Sequence, residues 1–259
     1  MTLILEPETA VAHAWWWRTG DGSPEPADLA LLSADERARA ARIVHPATAV
    51  GFVAGRAASR RILSELLGVP PGDIGLGRRP CPGCGDPLHG PPAVLHPESP
   101  LWISISHTNG CGMLAVARVP VGVDVEGVRD FPVEELAEST LTGSESRVVL
   151  GAPDRPARTR AFLRAWTRKE AVLKAVGVGI TTDLRAVETR PESSGPVVVA
   201  AGVPGTPASW TVTDLAVPDA WAAAISIPAG SAPTGSVPTG SVPAGSDGSR
   251  PEIHLRVHA

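Results

Sequence analysis

The stretch from Phe162 to Ile180, FLRAWTRKEAVLKAVGVGI, constrains this chain more than any other. It holds strong helix formers, no internal Pro, and Gly177 and Gly179 to end a helix. On helical spacing, Trp166, Glu170 and Lys174 fall on one stripe. Phe162 and Leu173 lie beside that stripe, and Lys169 projects near the same apolar edge. A carboxylate and two ammoniums on the buried border of a core helix need charged partners. The helix is therefore expected to border a charged site.

The partners are sought in the strands. LWISISH, residues 101–107, alternates: Leu101, Ile103 and Ile105 share one face with His107, while Trp102, Ser104 and Ser106 take the other. MLAVARV follows as a second strand and VGVDVEG as a third. In the third, Val121, Val123 and Val125 face one way, and Asp124 and Glu126 face the other. Two carboxylates on one face of an apolar strand repel each other unless a cation lies between them. Oxygen ligands of this kind suit Mg2+, which takes carboxylates together with substrate phosphates. Taken alone, an Asp-x-Glu strand also fits an exposed sheet edge.

The remainder sets the frame. Ser33, followed by Asp35 and Glu36, reads as a helix N-cap with acidic first-turn residues. The helical pattern from Ala34 to Gly68 breaks near Pro46 and clusters Arg37, Arg39, Arg42, Arg56, Arg60 and Arg61. Singly these fit a solvated face; as a group they suit a phosphate. Residues 3–17 read as one or two strands ending in Trp15, Trp16 and Trp17, which are core and interface filling in the first instance. Residues 68–100 are loop-rich and hold CPGCG at 81–85, with His89 and His96 after it. Cys81 and Cys84 form half of a zinc site by spacing, or a tight structural turn. Residues 131–160 alternate short helical segments with loop breaks at LTGSES and GAPDRPAR, and residues 180–227 alternate strands and turns. From 228 a five-residue Gly-Ser-Pro repeat takes over, and 228–259 is expected to be a disordered tail.

Composition narrows the class. The chain has 259 residues, 43% hydrophobic, which suffices for a sizeable core. A net charge of −4 argues against a general nucleic-acid surface. Three cysteines do not build a disulfide framework. The start MTLILEPETA is not basic, and no apolar run approaches the ~20 residues that span a bilayer. The expectation is a soluble, cytoplasmic protein with no membrane and no nucleic-acid partner.

Together the strand carboxylates, the helix carboxylate, the lysines, the strand-end Ser-His and the arginines fit a diphosphate donor held by Mg2+. SISH (104–107), VGVDVE (121–126) and WTRKEAVLK (166–174), in that order, resemble the motifs of the Sfp-type 4′-phosphopantetheinyl transferases. The resemblance covers about residues 30–227. It implies an α+β pseudo-dimer of two similar halves, 1–118 and 119–227, the second carrying the metal and catalytic motifs. It implies transfer of the 4′-phosphopantetheine arm of coenzyme A (CoA) to a serine of an acyl or peptidyl carrier protein. The carriers would belong to polyketide, nonribosomal peptide or fatty acid synthases, and 3′,5′-ADP would be released.

By resemblance, Asp124 and Glu126 are Mg2+ ligands (Mn2+ substituting), and Glu170 is the third ligand and general base. Lys174 neutralises the leaving phosphate. Ser106, His107 and Lys169 meet the CoA phosphates, and Arg39 meets the 3′-phosphate. Arg60 is structural or CoA-adjacent. The chain departs from the family's pattern at Gly51 and Pro91, where basic residues are usual, and at Glu36, where lysine is common. Two other classes stay open: a CoA- or carrier-binding module without turnover, and a metal-dependent phosphohydrolase.

Overall fold

The computed structural model describes residues 11–20, 22–179, 182–230 and 253–257. Among the described residues, ten strands and six α-helices follow one another. Strand β1 (Ala12–Arg18) leads into α1 (Pro26–Leu31), α2 (Ala34–Ala41) and α3 (Pro46–Leu67). Next come β2 (Gly75–Arg78), β3 (Pro92–His96), β4 (Trp102–Thr108), β5 (Cys111–Ala117) and β6 (Gly122–Gly127). Helices α4 (Val133–Thr140), α5 (Gly143–Leu150) and α6 (Arg155–Val176) precede β7 (Val197–Ala200), β8 (Ser209–Asp214), β9 (Trp221–Pro228) and β10 (Ile253–Val257).

The strands form two sheets, β10-β1-β5-β4-β3-β2 and β6-β9-β8-β7. Each carries one 22-residue helix, α3 on the first and α6 on the second. The fold is α+β, and the same unit, a long helix on a largely antiparallel sheet, occurs twice. Between α3 and the first sheet, Ala58, Ile62 and Leu63 meet Trp15, Trp17, Ile103 and Leu114. Between α6 and the second, Val172, Leu173 and Val176 meet Trp210, Val212 and Ala224. The inner faces of the two sheets share a third apolar layer, with Met113 and Ala115 against Val123, Val125 and Ile225. Burial in these layers is the main force holding the halves together.

Beside that layer the halves are stitched by hydroxyls. The Ser104 Oγ accepts from Val123 N (3.0 Å), Ser106 Oγ from Val125 N (3.3 Å) and Thr108 Oγ1 from Gly127 N (3.3 Å). The period of two along β4 matches the period of two along β6. These side chains satisfy amides that a neighbouring strand's carbonyls would otherwise take.

Helix ends follow their sequence signals. Ser33 and Glu36 close a capping box on α2. Pro46 starts α3, and Gly68 ends it at φ 70°. Helix α6 starts earlier than its pattern suggests: Asp154 caps it and Pro156 sits in the first turn, where no amide partner is lost. It ends at Gly177, φ 90°, the first of the two glycines expected to stop it. The loop-rich region 68–100 holds β2 and β3. Trp15 and Trp17 fill the core under α3, while Trp16 turns to the opposite face beside Trp221.

The expected tail needs a correction. Most of 231–259 lies outside the described residues, but Ile253–Val257 pairs in parallel with β1, Ala12 opposite Ile253. A short alternating segment after a Pro-rich repeat can still complete a sheet edge.

One glycine lets β6 approach α6 closely. A Cβ on Gly122 would lie 1.9 Å from Ala171 O and 2.4 Å from Ala175 N of α6. Strand β6 therefore runs against the helix backbone, two residues before Asp124. Gly122→Ala is expected to lower unfolding free energy by about 3 kcal/mol in urea titration, since neither backbone can yield cheaply. A loss within ~0.5 kcal/mol would mean the two elements slide freely.

Candidate active site

The stripe on α6 and the carboxylate face of β6 meet. A cavity of about 290 Å³ is lined by Ser106, His107, Asp124, Glu126, Trp166, Glu170 and Lys174, with Ile105. Lys174 Nζ donates to Asp124 Oδ1 (2.6 Å), Ser106 Oγ (3.0 Å) and Val123 O (3.2 Å). Ser106 Oγ in turn donates to Asp124 Oδ1 at 2.8 Å. With Val125 N also on it, this hydroxyl has used its donor and both acceptor positions. In this geometry Ser106 orients Asp124 and Lys174, with no lone pair or proton left over for a ligand.

The acidic groups exceed their partners. Burial pushes the Glu170 carboxyl up to about 7, Asp124 adding to it, Lys174 opposing and Glu126 adding a little more. Burial and Asp124 also raise Glu126, against Lys174, a Trp166 hydrogen bond and Arg129. Two buried oxygens, Asp124 Oδ2 and Glu170 Oε1, have no hydrogen-bond partner among the described residues. Hard oxygen donors, excess negative charge and unpartnered buried oxygens fit a divalent cation such as Mg2+.

A second cavity of about 270 Å³ adjoins the first, sharing Ile105, His107 and Lys174 with it. Its character is opposite. Arg39, Arg56 and Arg78 line it, with His89, Gly90, Pro91 and Pro92. Phe52 carries two of the guanidiniums, Arg39 at 4.9 Å and Arg56 at 5.7 Å from its ring centre. Arg56 Nη1 is buried with no partner among the described residues. Burial pulls Arg56 below its ordinary value, Glu36 opposing, with Arg60, Arg39 and Arg78 adding to the fall. Burial likewise lowers His107, reinforced by Lys174, Arg39 and Arg56 and opposed by Asp124. Gly51 faces this imidazole: a Cβ there would stand 3.5 Å from His107 Nδ1. Pro91 lines the same cavity.

A family model for the 4'-phosphopantetheinyl transferase superfamily matches residues 120–226, the segment from β6 through β9. The 4'-phosphopantetheinyl transferase HetI of Nostoc sp. is 32% identical over 216 residues, 82% of this chain and 86% of its own. The chain belongs to the 4'-phosphopantetheinyl transferase superfamily. It is an enzyme of that family. The 4'-phosphopantetheinyl transferase of Bacillus subtilis is 25% identical over 173 residues, 66% of this chain and 71% of its own. The L-aminoadipate-semialdehyde dehydrogenase-phosphopantetheinyl transferase of Rattus norvegicus is 26% identical over 186 residues, 67% of this chain and 59% of its own. No helix among the described residues is long and apolar enough to cross a membrane.

Lys169, which the transferase resemblance assigns to the site, lies elsewhere, and Arg60 lies outside both cavities. Lys169 is fully buried. Its ammonium pairs with Glu145 at 2.6 Å and donates to the carbonyls of Leu184 (2.9 Å) and Val187. One residue along a helix is a 100° turn, so Lys169 leaves the Glu170 face and ties α6 to α5 and the loop before β7. Burial pulls its pKa down, while Glu145 pulls back. Arg60 is 3% exposed and binds Glu36 at 2.7 Å, holding α3 to the start of α2. It lines neither cavity.

Sequence reading missed Arg78 altogether and left Arg56 within a cluster. Only pairing with a facing element tells which arginines of a helix turn inward. It also missed Arg168, which has no role in the cavities. Fully buried, its guanidinium binds Asp214 (2.7 and 2.9 Å) and the carbonyls of Thr189, Arg190 and Ser193.

Proposed function

We propose that the protein transfers the 4′-phosphopantetheine arm of CoA to a serine hydroxyl of an acyl or peptidyl carrier protein. One observation carries this reading: a cationic and an acidic cavity share the wall Ile105, His107 and Lys174. A ligand filling both has a phosphate at one end and a pyrophosphate needing a cation at the other. CoA has that shape. The relatives named above support the same chemistry.

In the reading, Arg39, Arg56 and Arg78 hold the 3′-phosphate end. Lys169, assigned to CoA by motif alone, has a structural role instead, and Arg60 keeps the structural one of its two readings. Asp124, Glu126 and Glu170 would hold Mg2+ or Mn2+, which when bound neutralises pyrophosphate charge. Glu170 takes the proton of the carrier serine, directly or through a water. The serine oxygen bonds to the phosphorus bearing the arm, the bond from that phosphorus to the bridging oxygen breaks, and 3′,5′-ADP leaves with that oxygen. Lys174 stands at the junction of the cavities to meet the charge that develops there. His107, largely neutral when the site is empty, offers an N–H to a phosphate oxygen. Ser106 holds Asp124 and Lys174 in register. Carriers of polyketide, nonribosomal peptide or fatty acid synthases are the substrate class, and the protein acts as a cytoplasmic monomer. Residues 1–118 and 119–227 are its two halves, with CoA between them.

Intact mass spectrometry of an apo carrier incubated with CoA tests the function. A mass gain of one arm, with 3′,5′-ADP, is expected only when Mg2+ or Mn2+ is present. CoA bound with the carrier unmodified would indicate a binding module. CoA consumed with the carrier unmodified would indicate a hydrolase.

The cationic cavity has its own test. Arg39→Ala is expected to raise KM for CoA about tenfold or more, as loss of a charged hydrogen bond does, with kcat changed less than ~3-fold. With dephospho-CoA the variant and the parent are expected to match. An equal defect with both substrates would remove the 3′-phosphate from Arg39.

A further inference from the structure

The CPGCG segment lies outside the chemistry above, and the fold gives it a second half. Cys81, Cys84 and His89 bring one ligand atom each to within 4.8 Å of one another, the one such trio of His, Cys, Asp or Glu found among the described residues. Cys84 Sγ is 3.4 Å from His89 Nδ1. Four-coordinate zinc with sulfur at about 2.3 Å and nitrogen at about 2.0 Å places neighbouring ligand atoms in this range.

The loop is built as a knuckle. Its base is closed by Arg79 N to Pro91 O (2.9 Å). Inside, Cys81 N donates to Asp86 O (2.9 Å) and Gly85 N to Cys81 O (2.8 Å), with Gly85 at φ 76°. Burial pushes the Cys81 thiol up, but the backbone N–H groups of Cys84 and Gly83 and the Cys84 thiol outweigh it, and the net shift is downward. Amides aimed at a sulfur favour the thiolate that a metal needs. Both cysteines are free thiols.

We propose that Cys81, Cys84 and His89 bind one zinc ion, which braces the loop 79–91 against the end of α6. Two thiolates and an imidazole select zinc over the hard cation suited to Asp124, Glu126 and Glu170, so the two metals do not compete. The fourth position falls to solvent, because Cys84 and the loop tip are exposed. The bracing follows from what the loop touches. A Cβ on Gly177 would come 3.1 Å from Pro91 and 3.3 Å from Pro82, and one on Gly83 would come 3.2 Å from Val178 Cγ1. The knuckle thus sits on the cap of the helix that carries Glu170 and Lys174. Its far end, His89 to Pro91, is wall of the cationic cavity.

The test uses the full, untagged chain purified under reducing conditions without chelator. Elemental analysis is expected to find about one zinc per chain. Replacement by Co2+ is expected to give the intense visible absorption of a four-coordinate ion and a thiolate-to-cobalt charge-transfer band. Cys84→Ser and His89→Gln each alter a residue that is not buried, so the fold survives. Both are expected to cut zinc content severalfold and weaken the cobalt bands. Hydrogen exchange at Arg79 and Cys81 is expected to quicken at least tenfold when zinc is removed. A folded chain without zinc, a Cys81–Cys84 disulfide in its place, or bands unchanged in both variants would overturn the site. Unchanged exchange would overturn the bracing. None of these readouts depends on CoA or a carrier, so the site stands or falls apart from the transferase reading.

Discussion

Glu170→Gln is expected to abolish turnover while making the metal-free chain more stable at pH 8. The activity loss, about 10³-fold or more in kcat, follows from removing a proton acceptor and an anionic oxygen together. The stability gain follows from linkage. In the fold Glu170 titrates near 7, against an ordinary 4.5. The folded chain therefore holds this proton more tightly than the unfolded chain does. Below pH 4.5 both states are protonated, and the group costs nothing. Between 4.5 and 7 the unfolded chain ionises first, so stability falls as pH rises. Above 7 the penalty is complete, at an upper bound of about 3 kcal/mol for a shift of this size. Glutamine carries no such penalty. Urea titrations in EDTA are expected to give a variant more stable by about 1–3 kcal/mol at pH 8, the gap closing towards pH 4.5. Added Mg2+ should stabilise the parent more than the variant. A variant less stable than its parent at pH 8 would mean the carboxylate is satisfied within the fold.

Lys169→Ala is expected to unfold the chain or lower its stability by about 3–5 kcal/mol, the cost of stranding one member of a buried ion pair. Glu145, fully buried, would keep its charge with, among the described residues, Thr142 and Thr189 to answer it. The double change Lys169→Met with Glu145→Gln should recover a good part of the loss, because no lone charge remains. If the rescued protein keeps its KM for CoA within ~3-fold, Lys169 has no part in ligand binding. A KM raised tenfold in a stable double variant would return the lysine to the CoA phosphates.

The contrast between Lys169 and Lys174 marks how far sequence reading reaches. Periodicity put Glu170 and Lys174 on the Trp166 stripe, and the fold agrees, because a 22-residue helix keeps its phase. Strand alternation likewise set Asp124 and Glu126 opposite the valines. Periodicity set Lys169 near the same apolar edge, but its partner lies 24 positions away in the capping box of α5. No local pattern announces such a pair. Arg56 and Arg60 show the same limit. Four positions apart on α3, both meet Glu36, yet only Arg56 reaches the cavity. Ser106 looked like a ligand contact by motif, and only the full set of its hydrogen bonds shows a saturated hydroxyl. Strand β10 was hidden because its alternation runs for only five residues after a long Gly-Ser-Pro repeat. Cys81, Cys84 and His89 were visible as spacing, but their convergence depends on the turn at Gly85.

The hydroxyl stitching of β4 to β6 has a consequence for how such a sequence can vary. Ser104 and Thr108 each answer one amide of the neighbouring strand, and another small hydroxyl residue could replace either. Ser106 answers an amide, a carboxylate and an ammonium through a single oxygen atom. Exchange for alanine removes all three contacts in one step, and exchange for a larger residue meets β6. Position 106 is thus a bottleneck in sequence space: drift in either half must pass around it, so the two halves of the molecule inherit their changes jointly.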